Sequence, residues 1–591
     1  MLNKRKALTF IPPVVLTLVF IVLSTNPGQR FIQLCFDHLF IFEYSAEQLS
    51  TYYPNFYCLV FLGSRFLLYG AIPLIVGTLI TYRKALVRSR YFTWVKVAKP
   101  QPLWREPLFQ MGAALSVLLV FYLVGSLSAV HQLVFTRLTL CWLVCYGVLY
   151  LLINLESVRQ AILRYLFAPV TNKHLALVRI SFYGYLCYLY LFVLPKFGHF
   201  EGLIRHDLPG PGWLVNWLPI TDEIYLTLSW IGLALSICCM IGIRFRSIHL
   251  LHAVVITYLI TAPNLFGKLW HHQLVIWCAW ILAVAPTTDY LIIGQKNQLK
   301  ASGKYGFHLK IIWLHFGLIY FFAGFYKLWL VGLDWALADT MLHQVRLEWL
   351  EHYQQLPSWR VDQTPLLLHL GGLTVILFEL SFPWLLLHKT WRWLAIIGGM
   401  LMHRTIGILM YIGFGTWLVA FYLFFIPWDW FLRLSSKATL VNHRPDWKNY
   451  TYWVPLVFLL ANLSCGIFRI DSYPFSVYPV YAARVPPTFS FLEYQLANKS
   501  VPPKAIWDLA QKYHFRWESF SRFEPEIILR YDQTGTIDTL AIQQQWLRWQ
   551  NAIPELDTVT TVDVYILELP LDPDQYTDTL RHEFLVRLSL P

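Results

Sequence analysis

Apolar runs of about twenty residues recur along this chain, and a run of that length is long enough to cross a bilayer as a helix. Only a polytopic membrane protein uses such runs repeatedly, because backbone polar groups in lipid must be satisfied within helices or closed barrels. By hydrophobic length there are about thirteen spans. They lie near residues 7–25, 57–82, 108–134, 138–155, 175–194, 224–244, 247–263, 271–287, 306–332, 364–387, 391–410, 412–428 and 452–468. The composition agrees, with 57% hydrophobic and 14% charged residues among 591, and 26 Trp suited to interfacial belts. The expected fold is an all-α polytopic membrane protein with a small C-terminal α+β domain outside the membrane.

Loop charge sets the expected orientation. Residues 83–105 carry seven Lys/Arg and no acid, and Lys4, Arg5 and Lys6 precede the first run. Both are expected inside, as are Arg244 and Arg246, Lys296, Lys300 and Lys304, and the 429–451 loop. The 195–223 segment and the acid-rich 333–363 loop fall outside. An odd number of spans then gives an N-in, C-out chain. In a bacterium this means the inner membrane with a periplasmic tail. The net charge of +13 belongs to this loop bias and implies no nucleic-acid partner.

Four regions are expected. Residues 1–160 form an N-terminal multi-span region, in which the signal-like start is read as a retained first span. Residues 161–435 form a transmembrane core, 436–468 a cytoplasmic loop and the last span, and 469–591 the tail. Segments 83–106 and 156–174 look partly amphipathic, as if lying along the inner surface. In the tail, RIDSYPFSVYPVY reads as an extended linker, and Pro503–His514 and Leu540–Trp549 read as helices. EIILRYD, TVDVYILEL and EFLVRLSL read as strands. The nine cysteines suggest neither a disulfide framework nor a zinc site. No nucleotide-binding or metalloprotease motif is present, so neither metal nor nucleotide is expected.

Polar residues inside the apolar runs are the candidates for chemistry. The run from Phe307 carries Lys327 near its end, with Tyr320, Ala323 and Gly324 on the same helix face. Small residues there would let another helix come close. Lys327 either snorkels to the headgroups or is a desolvated base. His271 and His272 open another run at the same expected depth, as anchors or as ligands. Glu379 lies inside LLHLGGLTVILFELSFPWLLL and needs a partner or a proton. His403 and Arg404 sit together in GGMLMHRTIGILMYIG.

From Arg164 to Trp430 these fragments resemble the HTTM family, to which vitamin K-dependent γ-glutamyl carboxylase is related. The resemblance begins at LALVRISFYGYL and continues through KLWHHQLVIWCAWILAVAPTTD, where His272 takes the family's histidine position and His271 replaces an asparagine. It is clearest in YFFAGFYKL followed by DW, where Lys327 falls on the second of two family lysines and Tyr326 replaces the first. ILFELSFPWLLL puts Glu379 where the carboxylase has aspartate, and MHRTIGILMYIGFG puts His403 on a histidine. The resemblance implies a reduced, vitamin K-like quinone with oxygen as cofactors, and Lys327 as the base that deprotonates the quinol. Burial favours a neutral amine, and only a neutral amine accepts a proton. His272, Glu379 and His403 would join Lys327 as catalytic residues, and His271, Tyr320, Tyr326 and Arg404 would hold the cofactor. The carboxylase carries a larger lumenal domain than this tail. The expected partners are the bilayer and a periplasmic protein or peptide substrate. The alternative is a non-enzymatic membrane protein that binds lipid or a periplasmic partner.

Overall fold

The computed structural model describes Leu140 and the chain from residue 155, apart from 198–199, 201–216, 266–271, 293–297, 352–355, 413–420, 433–437, 442–448, 469–472, 476–481, 497–498, 502–526, 553–555, 557–558, 577 and 590–591. The first three expected spans, the 83–106 segment, most of the 138–155 span, His271, the Pro503–His514 helix and most of the 469–481 linker lie outside the described residues. The chain divides into two compact units. One is residues 164–324, 339–481 and 485–591, and the other is 1–163, 325–338 and 482–484.

Among the described residues six helices are long and apolar enough to cross a membrane. An amphipathic helix, α1 (Leu155–Leu166), precedes them. The six are α2 (Asn172–Phe192), α3 (Asp222–Ile241), α4 (Arg246–Thr261, prolonged by a 3-10 turn to Leu265), α6 (Gly303–Leu330), α8 (Pro365–Leu387) and α10 (Tyr450–Phe468). Between them lie α5 (Gln273–Val284), α7 (Thr340–Glu351) and α9 (Trp391–Leu409). Local signals set several ends. Thr171 Oγ1 accepts from the His174 amide to cap α2, and Thr221 caps α3 with two acids behind it. Gly242 closes α3 at φ +87°, a backbone region that glycine enters freely.

Two expected spans need correction. The 271–287 span is a twelve-residue helix, about 18 Å long by its rise, too short to cross alone. Pro286 is the reason: it holds Ala285 in extended backbone and stops the helix. The 412–428 span does not run as one helix, because turns follow Tyr422 at 423–426 before a short helix at Trp428–Phe431.

A three-stranded sheet joins distant parts of the chain. β1 (Val170–Thr171) pairs antiparallel with β2 (Lys300–Ser302), and β2 pairs parallel with β3 (Thr439–Leu440). Asp429 reinforces this end, accepting from the Thr171 amide at 3.0 Å and from its hydroxyl, with His174 Nδ1 3.6 Å away. Burial pushes the Asp429 carboxyl up, but His174 and Thr171 outweigh it and hold the group below its ordinary range. Arg179, fully buried, donates to the carbonyls of Thr287, Tyr290 and Leu291.

The tail has its own apolar core. An antiparallel sheet in the order β5 (Lys499–Val501), β4 (Thr488–Leu496), β6 (Thr561–Pro570), β7 (Arg581–Ser589) packs against α11 (Thr539–Ala552), where Trp546 and Ile542 meet Val562, Val564 and Ile566. The α+β reading therefore holds here, with one correction. EIILRYD is not a strand, because 527–534 is helical and is closed by Gly535 at φ +65°. Two pairs of ions bind the tail to the 333–363 loop: Arg346 with Asp572 at 3.2 Å, and Arg360 with Asp574 at 3.1 Å. Both arginines also grip Asp362, whose side chain is fully buried.

Candidate functional site

Three elements bring polar side chains together in the apolar core. Tyr320 on α6 shares a hydrogen bond of 2.7 Å with His403 Nε2 on α9 and one of 2.5 Å with the Tyr422 hydroxyl. Tyr320 and Tyr422 are both buried. The Phe382 ring on α8 stacks on Tyr320 with centroids 3.9 Å apart, and Phe378 meets it edge-on at 5.9 Å. The result is an imidazole–phenol–phenol chain, with Tyr320 in the middle, walled by aromatic rings. Such a chain can pass or hold a proton, since each hydroxyl both donates and accepts and the imidazole has two distinct nitrogens.

Glycines make this packing possible. A Cβ on Gly399 would fall 1.9 Å from the Tyr422 hydroxyl, and one on Gly398 would fall 2.8 Å from the Phe378 ring. On α6, a Cβ at Gly324 would lie 2.9 Å from Glu379 Cβ and 3.2 Å from the Leu380 amide. Gly317, two turns earlier, faces Pro383 at 3.4 Å. The small-residue face of α6 thus admits α8 closely, as the spacing around Gly324 predicts. Glu379 is buried against that face, one helical turn along α6 from Tyr320.

Lys327 lies in the other compact unit, in the last turn of α6. It is 3% exposed, and its Nζ sits 5.0 Å from the centre of the Trp335 ring, a cation–π arrangement. Gly332 at φ +78° turns the chain back, its amide donating to the Lys327 and Leu328 carbonyls. Asp334, also in this unit, has its carboxyl pushed up by burial and pulled back by Arg484 at 3.5 Å. Tyr326 is buried with its ring edge-on to Phe325.

Of the other expected site residues, His272 is half-buried at the start of α5 and Arg404 is exposed on α9. The structure therefore joins Tyr320 to His403 and sets Glu379 one turn away. Tyr422 beside Tyr320, and in the other unit Trp335 beside Lys327, are contacts that sequence reasoning missed. Trp335 had a signal, since it is the tryptophan of the DW that follows the lysine stretch. Tyr422 had none beyond being one aromatic residue among many. Sequence reasoning also weighed Lys327 and passed over Lys310, a second buried lysine in the same helix.

No curated protein and no solved structure matches the chain. Residues 167–430 match the family model described as HTTM domain, a segment that contains every one of these side chains. Over that segment, a little under half of its length, the chain is similar to HTTM-domain proteins, and its described helices include six long and apolar enough to cross a membrane.

Proposed function

We propose that the protein is an HTTM-type membrane enzyme that oxidises a lipid quinol with oxygen, using Lys327 as the base. We place it in a bacterial inner membrane with the tail in the periplasm, on the charge of its loops. The observation that carries the chemical reading is the His403–Tyr320–Tyr422 chain, its two tyrosines buried, beside aromatic rings. A bound reduced quinone would supply the two electrons and an ionisable hydroxyl. Lys327, 3% exposed, would accept the proton at Nζ. In the other unit, the hydrogen-bonded His403 and Tyr320 would hold or pass a proton, with Glu379 buried one helical turn along α6 from Tyr320. A periplasmic protein or peptide is the further substrate class for this reading.

A second reading has one observation in its favour. The Tyr320 hydroxyl already has two protein partners and a ring stacked on its own, as in a purely structural core. The protein would then bind lipid or a periplasmic partner without catalysis. Mass spectrometry of protein extracted from its native membrane separates the two. The enzymatic reading predicts a near-stoichiometric quinone that falls away in His403→Ala. Absence of any quinone from folded wild-type protein supports the second reading.

A further inference from the structure

We propose that Lys310 and Arg392 form a binding site for the phosphate of an anionic phospholipid. Lys310 is the eighth residue of α6 and 6% exposed, and Arg392 is the second residue of α9. Lys310 Nζ lies 5.0 Å from the centre of the Tyr165 ring, and the Arg392 guanidinium lies 4.3 Å from the centre of the Trp313 ring, one turn along α6 from Lys310. Lys310 and the Trp313 ring that Arg392 covers are three residues apart on one face of α6, which brings the two cations to the same end of that helix.

Their protein partners leave them short of negative charge. Lys310 donates to the carbonyls of Tyr165 and Ala168, the latter at 3.3 Å, where α1 ends. These carbonyls are dipoles and neutralise nothing. An ammonium has three N–H groups, so one remains without a partner among the described residues. Arg392 Nε is buried and has no hydrogen-bond partner among the described residues. Neither cation is within ion-pair distance of a carboxylate among the described residues. The ionised Asp429 lies beyond ion-pair distance of Arg392, with its oxygens hydrogen-bonded to Thr171, so one distant carboxylate faces two cations. Two cations at a bundle end with that deficit call for an anion from outside the chain.

The surroundings say which anion. On the same helix Trp391, Leu394, Ile397 and Leu401 are 57%, 56%, 54% and 64% exposed, a stripe at helical spacing that suits acyl chains. Lys389, also exposed, adds a positive charge beside them. A diffusible anion would use the cations and leave the stripe bare. A phospholipid uses both, with its phosphate on Arg392 and Lys310 and its chains along α9. Basic pockets between membrane helices take anionic headgroups in this way.

The test measures thermal unfolding of the full-length protein in neutral detergent after adding phosphatidylglycerol, phosphatidylcholine or inorganic phosphate. Phosphatidylglycerol should raise the midpoint by several degrees and phosphatidylcholine by much less. The difference should vanish in Arg392→Gln, persist in Arg392→Lys, and persist in Lys300→Gln, an exposed cation at the same end. Equal shifts from both lipids, or an undiminished difference in Arg392→Gln, overturn the proposal. A full shift from inorganic phosphate alone assigns the site to a free anion and overturns it too. Should Arg392→Gln fail to fold, native mass spectrometry of the wild type decides. Selective retention of phosphatidylglycerol over phosphatidylcholine supports the site, and equal retention removes it.

Discussion

Tyr320 is the residue on which the candidate site turns, because two partners share its hydroxyl. Tyr320→Phe should cost about 1–3 kcal/mol, since it leaves buried polar groups on His403 and Tyr422 without that partner. Chemical denaturation in detergent measures this, and a change within error would show that the chain adds nothing to stability. Gly399→Ala attacks the same chain from behind by driving the Tyr422 hydroxyl away from Tyr320. It should destabilise by about 1–3 kcal/mol, as overpacked cores do. His403, Glu379 and Lys327 were legible in the sequence because each is a polar group inside an apolar run, which lipid tolerates only for a reason, and Tyr320 because it shares the helix face of Lys327. Tyr422 was not legible, because a tyrosine among phenylalanines and tryptophans breaks no pattern. Its role comes from a contact 102 residues away in sequence.

Helices α6 and α8 meet through glycine, and the two kinds of glycine on them should respond differently. Gly324→Ala should destabilise by about 1–3 kcal/mol, because the new methyl meets Glu379 Cβ and the Leu380 backbone. Gly371→Ala, on α8 with nothing within 4 Å of the new Cβ, should be neutral or stabilise by about 0.5–1 kcal/mol. Equal effects of the two would contradict this packing. The ion pairs between the 333–363 loop and the tail give an element-scale pH response. Burial raises the Asp362 carboxyl, but Arg360 and Arg346 overcome it and hold the folded value below the ordinary one. The stabilisation is then fully present above the unfolded value of about 3.9 and is lost as pH falls through the lower folded value. Hydrogen exchange in 340–363 and 572–576 should therefore rise only below about pH 4. Asp362→Asn should raise it already at neutral pH, and unchanged exchange in this variant would remove the network's role. The apolar helices were legible from length alone, whereas EIILRYD was misread. Three consecutive apolar residues carry no period, and the better signals were Pro525 and Glu526 before the helix and Gly535 after it. The two- and three-residue strands β1–β3 lie below any pattern a sequence can display.

For the whole molecule, the β1–β2–β3 sheet requires residues 170, 300 and 439 to lie on one side of the membrane. Cysteines introduced at Lys300 and Leu440 should label from the same face with an impermeant thiol reagent. Cysteine at Asp574, in the tail, should label from the opposite face under the proposed orientation. Labelling of Lys300→Cys and Leu440→Cys from different faces would contradict the sheet, and labelling of all three from one face would contradict the orientation. The central claim is that this membrane bundle uses Lys327 as a base toward a quinol. Its most direct measurement is oxygen-dependent formation of epoxide from a reduced quinone by purified protein, wild type against Lys327→Ala. The account predicts turnover in the wild type and a loss of about 10²–10⁴-fold in a normally folded Lys327→Ala, partly restored by a small free amine. Wild-type turnover in Lys327→Ala, or no epoxide above background from any reduced naphthoquinone or ubiquinone tested, would contradict it.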